Sequence, residues 1–113
     1  MRSCDMAESM LLTDVLPKLA VELELLLTKT GESELAAQVP TLAIVDRCRC
    51  DDDFCSSFHT QPKPEGAYGS DHRSLDLDAE TGTIILDVVS GLIAYVEVLN
   101  RDDIRKMLVA ALP

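Results

Sequence analysis

Three of the chain's four cysteines fall within eight residues, in the run Cys48-Arg49-Cys50-Asp51-Asp52-Asp53-Phe54-Cys55, and His59 follows closely. Thiols at this density suit a metal site, a redox pair or a compact buried corner. Read as a hairpin turning at 51–54, the run sets Cys50 opposite Cys55, Cys48 opposite Ser57 and Asp46 opposite His59. Strand residues two apart share a face, so Cys48, Cys50, Cys55 and His59 fall on one side of the hairpin. Three thiolates and an imidazole are a donor set that suits tetrahedral zinc. The spacing, Cys-x-Cys-x4-Cys-x3-His, differs from a Cys-x2-Cys knuckle. At roughly 3.3 Å per strand residue, His59 stands ~13 Å from Cys55. Convergence on one ion therefore needs a bend or a bulge. His72, beyond the following loop, is the substitute nitrogen ligand.

The redox reading needs a thiol of lowered pKa, close to cations or a helix N-terminus. Arg47 and Arg49 are near in sequence but project to the opposite strand face, while Asp51, Asp52 and Asp53 raise a neighbouring thiol. A cross-strand disulfide between Cys50 and Cys55 belongs to this reading. The plainest alternative is that the cysteines are small buried hydrophobes, as free cysteines usually are, in company with Leu42 and Ile44. The triple aspartate reads as a turn, because Asp satisfies backbone amides locally. It lacks the alternating oxygens and the bend glycine of a calcium loop. No Gly-rich phosphate loop, Ser-His-Asp pattern or His-Glu-x-x-His motif is present. No catalytic residue is nominated, and a non-enzyme is expected. Cys4 is given no role.

Ten Lys/Arg against twenty Asp/Glu leave a net charge of −10. That sign repels nucleic-acid phosphates and anionic membrane surfaces, and it suits a basic protein partner or simply a solvated surface. No apolar run approaches the ~18 residues of a membrane span. The start, Met1-Arg2-Ser3-Cys4-Asp5, lacks the apolar stretch of a signal peptide. The expectation is a cytoplasmic protein with reduced thiols. Its 113 residues suit one domain, with 1–10 frayed and an aliphatic core, since Phe and Tyr number two each and Trp is absent.

The elements that position the cysteines follow from periodicity. Leu12, Leu16, Leu19, Leu23 and Leu26, widened by Val15, Ala20 and Leu27, form one face of a long N-terminal helix. Thr13 is its expected cap, Pro17 lies in its first turn, and Gly31 stops it. The same stripe resembles a short coiled-coil seam, which leaves a homo-oligomer open; a core-facing role is preferred. A short helix over Glu32–Gln38, capped by Ser33, ends at Pro40. Strands are expected at 41–50, 54–60, 75–78, 83–88 and 92–99. A final helix is capped by Asn100, with Ile104, Leu108 and Ala111 on its apolar face. The loop 61–71, rich in Pro and Gly, is long enough to invite a functional role. The order predicts an α+β fold: an antiparallel sheet of about five strands with the N-terminal and C-terminal helices packed on it.

Residues 48–58 (Cys-Arg-Cys-Asp-Asp-Asp-Phe-Cys-Ser-Ser-Phe) and 82–99 (ending Val-Glu-Val-Leu) together resemble a group of small uncharacterised bacterial proteins. That group pairs a Cys-x-Cys…Phe-Cys segment with such a meander. The resemblance covers about residues 41–110, implies the same fold and supplies no activity. In that group an aromatic residue is more usual at the position of His59. Two functions from different classes follow. One is an acidic, non-enzymatic protein-binding module, inhibitor- or immunity-like, directed against a basic partner such as a nuclease. The other is a zinc-binding protein using Cys48, Cys50, Cys55 and His59. A thiol redox protein is the third.

Overall fold

The leucine stripe folds as two helices because Pro17 lies inside it. The computed structural model describes residues 10–50, 52–62, 66 and 68–113. Cys4 and Asp51 lie outside them. A single turn, α1 (Leu12–Val15), is followed by α2 (Pro17–Lys29), with Pro17 in the first turn of α2. There its missing N–H costs nothing, since first-turn amides have no partner within the helix. Thr13 is therefore inside α1 and does not cap it; Leu11 occupies that place with no side-chain bond. Leu12, Leu16, Leu19, Ala20, Leu23 and Leu27 are buried, and Val15 and Leu26 pack partly buried against them. After Lys29 the chain reverses at Gly31, whose φ is +85°.

The next helix, α3 (Ser33–Gln38), begins with Ser33 inside it; Glu32, not Ser33, holds the cap position. A 3-10 turn, Val39–Thr41, follows. Gln38 ties this region to the sheet: its amide nitrogen donates to Gly91 O at 2.7 Å, and its amide oxygen accepts from Ile93 N at 3.0 Å.

The expected strand over 41–50 is two short strands serving two sheets. The first, β2 (Ala43–Ile44), pairs with β1 (Met10–Leu11). The second, β3 (Asp46–Arg47), pairs with β4 (Phe58–His59). Regular pairing stops after Arg47, although Cys48 N still donates to Ser57 O at 2.8 Å. The remaining strands are β5 (His72–Leu77), β6 (Thr83–Val89) and β7 (Leu92–Leu99). They complete an antiparallel five-stranded sheet in the order β3-β4-β7-β6-β5. β6 and β7 are joined by Ser90-Gly91, at φ 52° and 80°. Two consecutive positive φ values give the primed turn whose twist suits a two-residue hairpin.

Alternation along the sheet divides its two faces. Ile84, Leu86, Val88, Ile93, Val96, Val98 and Phe58 are buried and form one apolar cluster with the helices. Ile85, Asp87, Tyr95, Glu97 and Leu99 are half-buried on the face turned away from them. The last helix, α4 (Asp102–Ala111), buries Ile104 and Leu108. Arg101 holds its cap position, while Asn100, the expected cap, takes a left-handed conformation at φ 62°. Arg101 forms a bidentate pair with Glu22 at 2.9 and 3.0 Å, linking the start of α4 to α2. The architecture is α+β, as the periodicity predicts. No helix among the described residues is long and apolar enough to cross a membrane.

Candidate metal centre

The hairpin carrying the cysteines keeps the register set by a turn at 51–54. Asp46 faces His59 and Arg47 faces Phe58. The returning arm is straight: Cys55, Phe58 and His59 face Leu99, Val96 and Tyr95 of β7 in a single register. The bend lies in the other arm, where residues 48–50 leave the strand conformation. The tip closes with Cys55 N donating to Asp52 O at 3.3 Å, and Asn100 N donates to Phe54 O at 2.8 Å.

That bend brings the sulfurs of Cys48, Cys50 and Cys55 together, all within 4.8 Å of one another. All three are free thiols, graded from exposed Cys50 through half-buried Cys48 to buried Cys55. Sulfurs of a tetrahedral zinc site, with Zn–S of about 2.3 Å, are ~3.8 Å apart. Closing on an ion therefore asks for side-chain movements of only about 1 Å. An exposed Cys50 does not fit the reading of all three cysteines as buried hydrophobes.

Hydrogen bonds prepare the sulfurs unequally. Burial alone raises the Cys48 thiol, but the backbone N–H of Cys50, the Tyr95 phenol and the other two thiols outweigh it and hold its pKa below the ordinary value. On Cys50 the Asp52 N–H pulls downward, yet its bonds to the Cys55 and Cys48 sulfurs prevail and push it up to about 11. The hydrogen bonds thus favour the anion on Cys48 and keep the proton on Cys50. The Cys50 N–H favours the anionic form of Cys48. Burial, together with the neighbouring thiols, raises the Tyr95 phenol, which therefore stays a donor. Behind them, Ser57 Oγ accepts from Val98 N at 2.9 Å and from the Cys55 thiol at 3.4 Å.

Neither histidine joins the three sulfurs. His59 lies against Tyr95, with ring centroids 4.5 Å apart and planes tilted by 52°, and opposite Asp46 in the ladder. The straight returning arm keeps it there. His72 sits at the start of β5, where its Nε2 meets Asp87 Oδ1 at 2.8 Å and its ring packs on Tyr68. Asp52 and Asp53 are exposed at the hairpin tip.

Neither a protein-family model, a curated protein nor a solved structure matches the chain.

The supporting residues come from distant parts of the chain. Arg47 and Arg49 bind the end of the chain and Asp46. Arg47 Nε donates to Leu112 O, and Arg49 reaches Pro113 O at 3.1 Å and Asp46 Oδ1 at 2.9 Å. From α4, Arg105 donates to Cys55 O at 2.7 Å and Asp52 O at 3.1 Å. Tyr95, Ser57 and Arg105 carry no sequence signal of this role; only the hairpin register, extended to β7, points to Tyr95. The unequal thiols give an expected result. In protein stripped of metal, alkylation of Cys48 should gain rate at lower pH than alkylation of Cys50, because the thiolate is the nucleophile. Mass-spectrometric rates at each cysteine across pH would check this; identical profiles would refute the unequal sharing.

Proposed function

We propose that the protein is a zinc-binding protein that holds the ion on Cys48, Cys50 and Cys55. The observation that carries this reading is the convergence of three sulfurs within 4.8 Å at one hairpin. Thiolates select soft and borderline ions, zinc among them. The hydrogen bonds onto Cys48 support thiolate character there, which metal ligation requires. Three protein ligands leave zinc a fourth position for water or an external donor. The ion would join both arms of the hairpin where the regular ladder has stopped, a structural task. The charge of −10 still suits a basic partner, but it names no site, whereas the thiols do.

Elemental quantitation of the full chain purified without chelator tests the reading. We expect near-stoichiometric zinc in the wild type and loss of it in Cys50→Ser. A wild type without zinc that also fails to take it up from zinc salt would overturn the proposal.

A further inference from the structure

The segment that supplies the thiols also holds α4. Arg47 and Arg49, which alternate with Cys48 and Cys50 in the sequence, bring their guanidinium groups to the end of that helix. The two arginines bind the carbonyl oxygens at the end of α4, Leu112 O and Pro113 O. At the other end of the hairpin, Arg105 of α4 reaches back. Its guanidinium donates to Cys55 O at 2.7 Å and Asp52 O at 3.1 Å. One of these carbonyls belongs to a thiol residue, and the other to the residue whose N–H serves the Cys50 sulfur. Ser56 Oγ adds a bond to Arg101 O at 3.2 Å, just before the helix begins. The helix is thus fastened to the hairpin at both ends, while its apolar contribution to the core is Ile104 and Leu108.

We infer that metal occupancy of the hairpin controls the docking of α4, with Arg105 as the positioning residue that links them. The inference rests on the zinc reading and concerns the regulation of that same site. The physical basis is reciprocal linkage: if the ion fixes the loop that Arg105 and its partners bind, the docked helix must in turn tighten the ion. Without metal, the bonds among the described residues that join the bent arm to the straight one are Cys48 N to Ser57 O, the thiol contacts and the turn at Asp52. The carbonyls that Arg105 needs are then less well fixed. With metal bound they are held in place, and opening of α4 becomes less frequent. Outer partners that orient metal ligands typically account for about 10–100-fold in affinity.

Amide hydrogen exchange on the full chain, with zinc chloride or with chelator, reads this directly. The amides of the β5–β6 hairpin, which β7 separates from the strands of the thiol hairpin, report global stabilisation and serve as the internal reference. We expect zinc to slow exchange in Asp102–Ala111 by on the order of tenfold more than in β5–β6. In Arg105→Ala we expect that excess to vanish and zinc affinity to fall by about 10–100-fold, with stoichiometry kept. Arg105→Lys, which retains several donors, should recover most of the loss. Arg, Lys and Ala are all good helix formers, so a change in helix propensity alone does not produce that pattern. Zinc bound to the wild type with equal slowing in both regions would overturn this inference and leave the zinc reading standing. Full affinity in Arg105→Ala, or no rescue by Lys, would overturn Arg105 as the link. A wild type that binds no zinc would overturn both.

Discussion

Phe58→Ala is expected to lower the unfolding free energy by about 3–5 kcal/mol, the usual range for emptying a buried aromatic site. Phe58 is fully buried on a strand of only two residues, between Arg47 of β3 and Val96 of β7. Its neighbours Ser57 and His59 face the other side, so this one side chain anchors the short strand to the core. A domain of this size has roughly 5–15 kcal/mol of stability in all, and the loss would be a large part of it. Urea unfolding gives the measurement. A shift corresponding to less than about 1 kcal/mol would mean that β4 is not packed as described. Because Phe58 points away from the thiols, zinc stoichiometry should survive at temperatures below the transition.

Zinc itself should produce the second large effect. An ion that binds only the native chain adds about 2.7 kcal/mol at a free concentration one hundred times its dissociation constant. For a domain of this length that raises the melting temperature by roughly 10 °C. Chelator should reverse the rise, and Cys55→Ser should abolish it, since Cys55 is the most buried of the three sulfurs. Thermal unfolding with and without zinc decides this. Superimposable melts would mean that the native chain does not hold the ion.

Sequence periodicity went far with this fold, and the reasons are local. Leucine spacing marked the buried faces of α1 and α2 because a helix repeats at 3.6 residues whatever surrounds it. The hairpin register was legible because a four-residue loop at 51–54 fixes which residues face each other. What local pattern could not show was where chains part company. Residues 41–50 have the composition of one strand, yet Ile44 and Asp46 belong to different sheets, since the partners β1 and β4 come from opposite directions in sequence. The convergence of the thiols was hidden for the same reason. Straight geometry keeps four candidates spread along a face, and the bend at 48–50 follows from the end of pairing after Arg47. His59 then stays with its strand, beside a tyrosine 36 residues away in sequence, as the register pair His59↔Tyr95 records. Caps were misjudged at Thr13, Ser33 and Asn100 by one or two residues, because the best capping side chain was expected at each start and none makes a capping bond there.

The scarcity of aromatic residues has a spectroscopic consequence. With no Trp and only Tyr68 and Tyr95 in the chain, its near-ultraviolet emission is tyrosine emission, with no indole to mask it. One of those two fluorophores, Tyr95, neighbours the Cys48 thiol, whose pKa it helps to lower, and has its ring against His59. Ionisation, alkylation or metal capture at that sulfur changes the partner of an excited phenol. The protein therefore carries an optical reporter beside its thiols, and ordinary fluorimetry of the unlabelled chain can follow them.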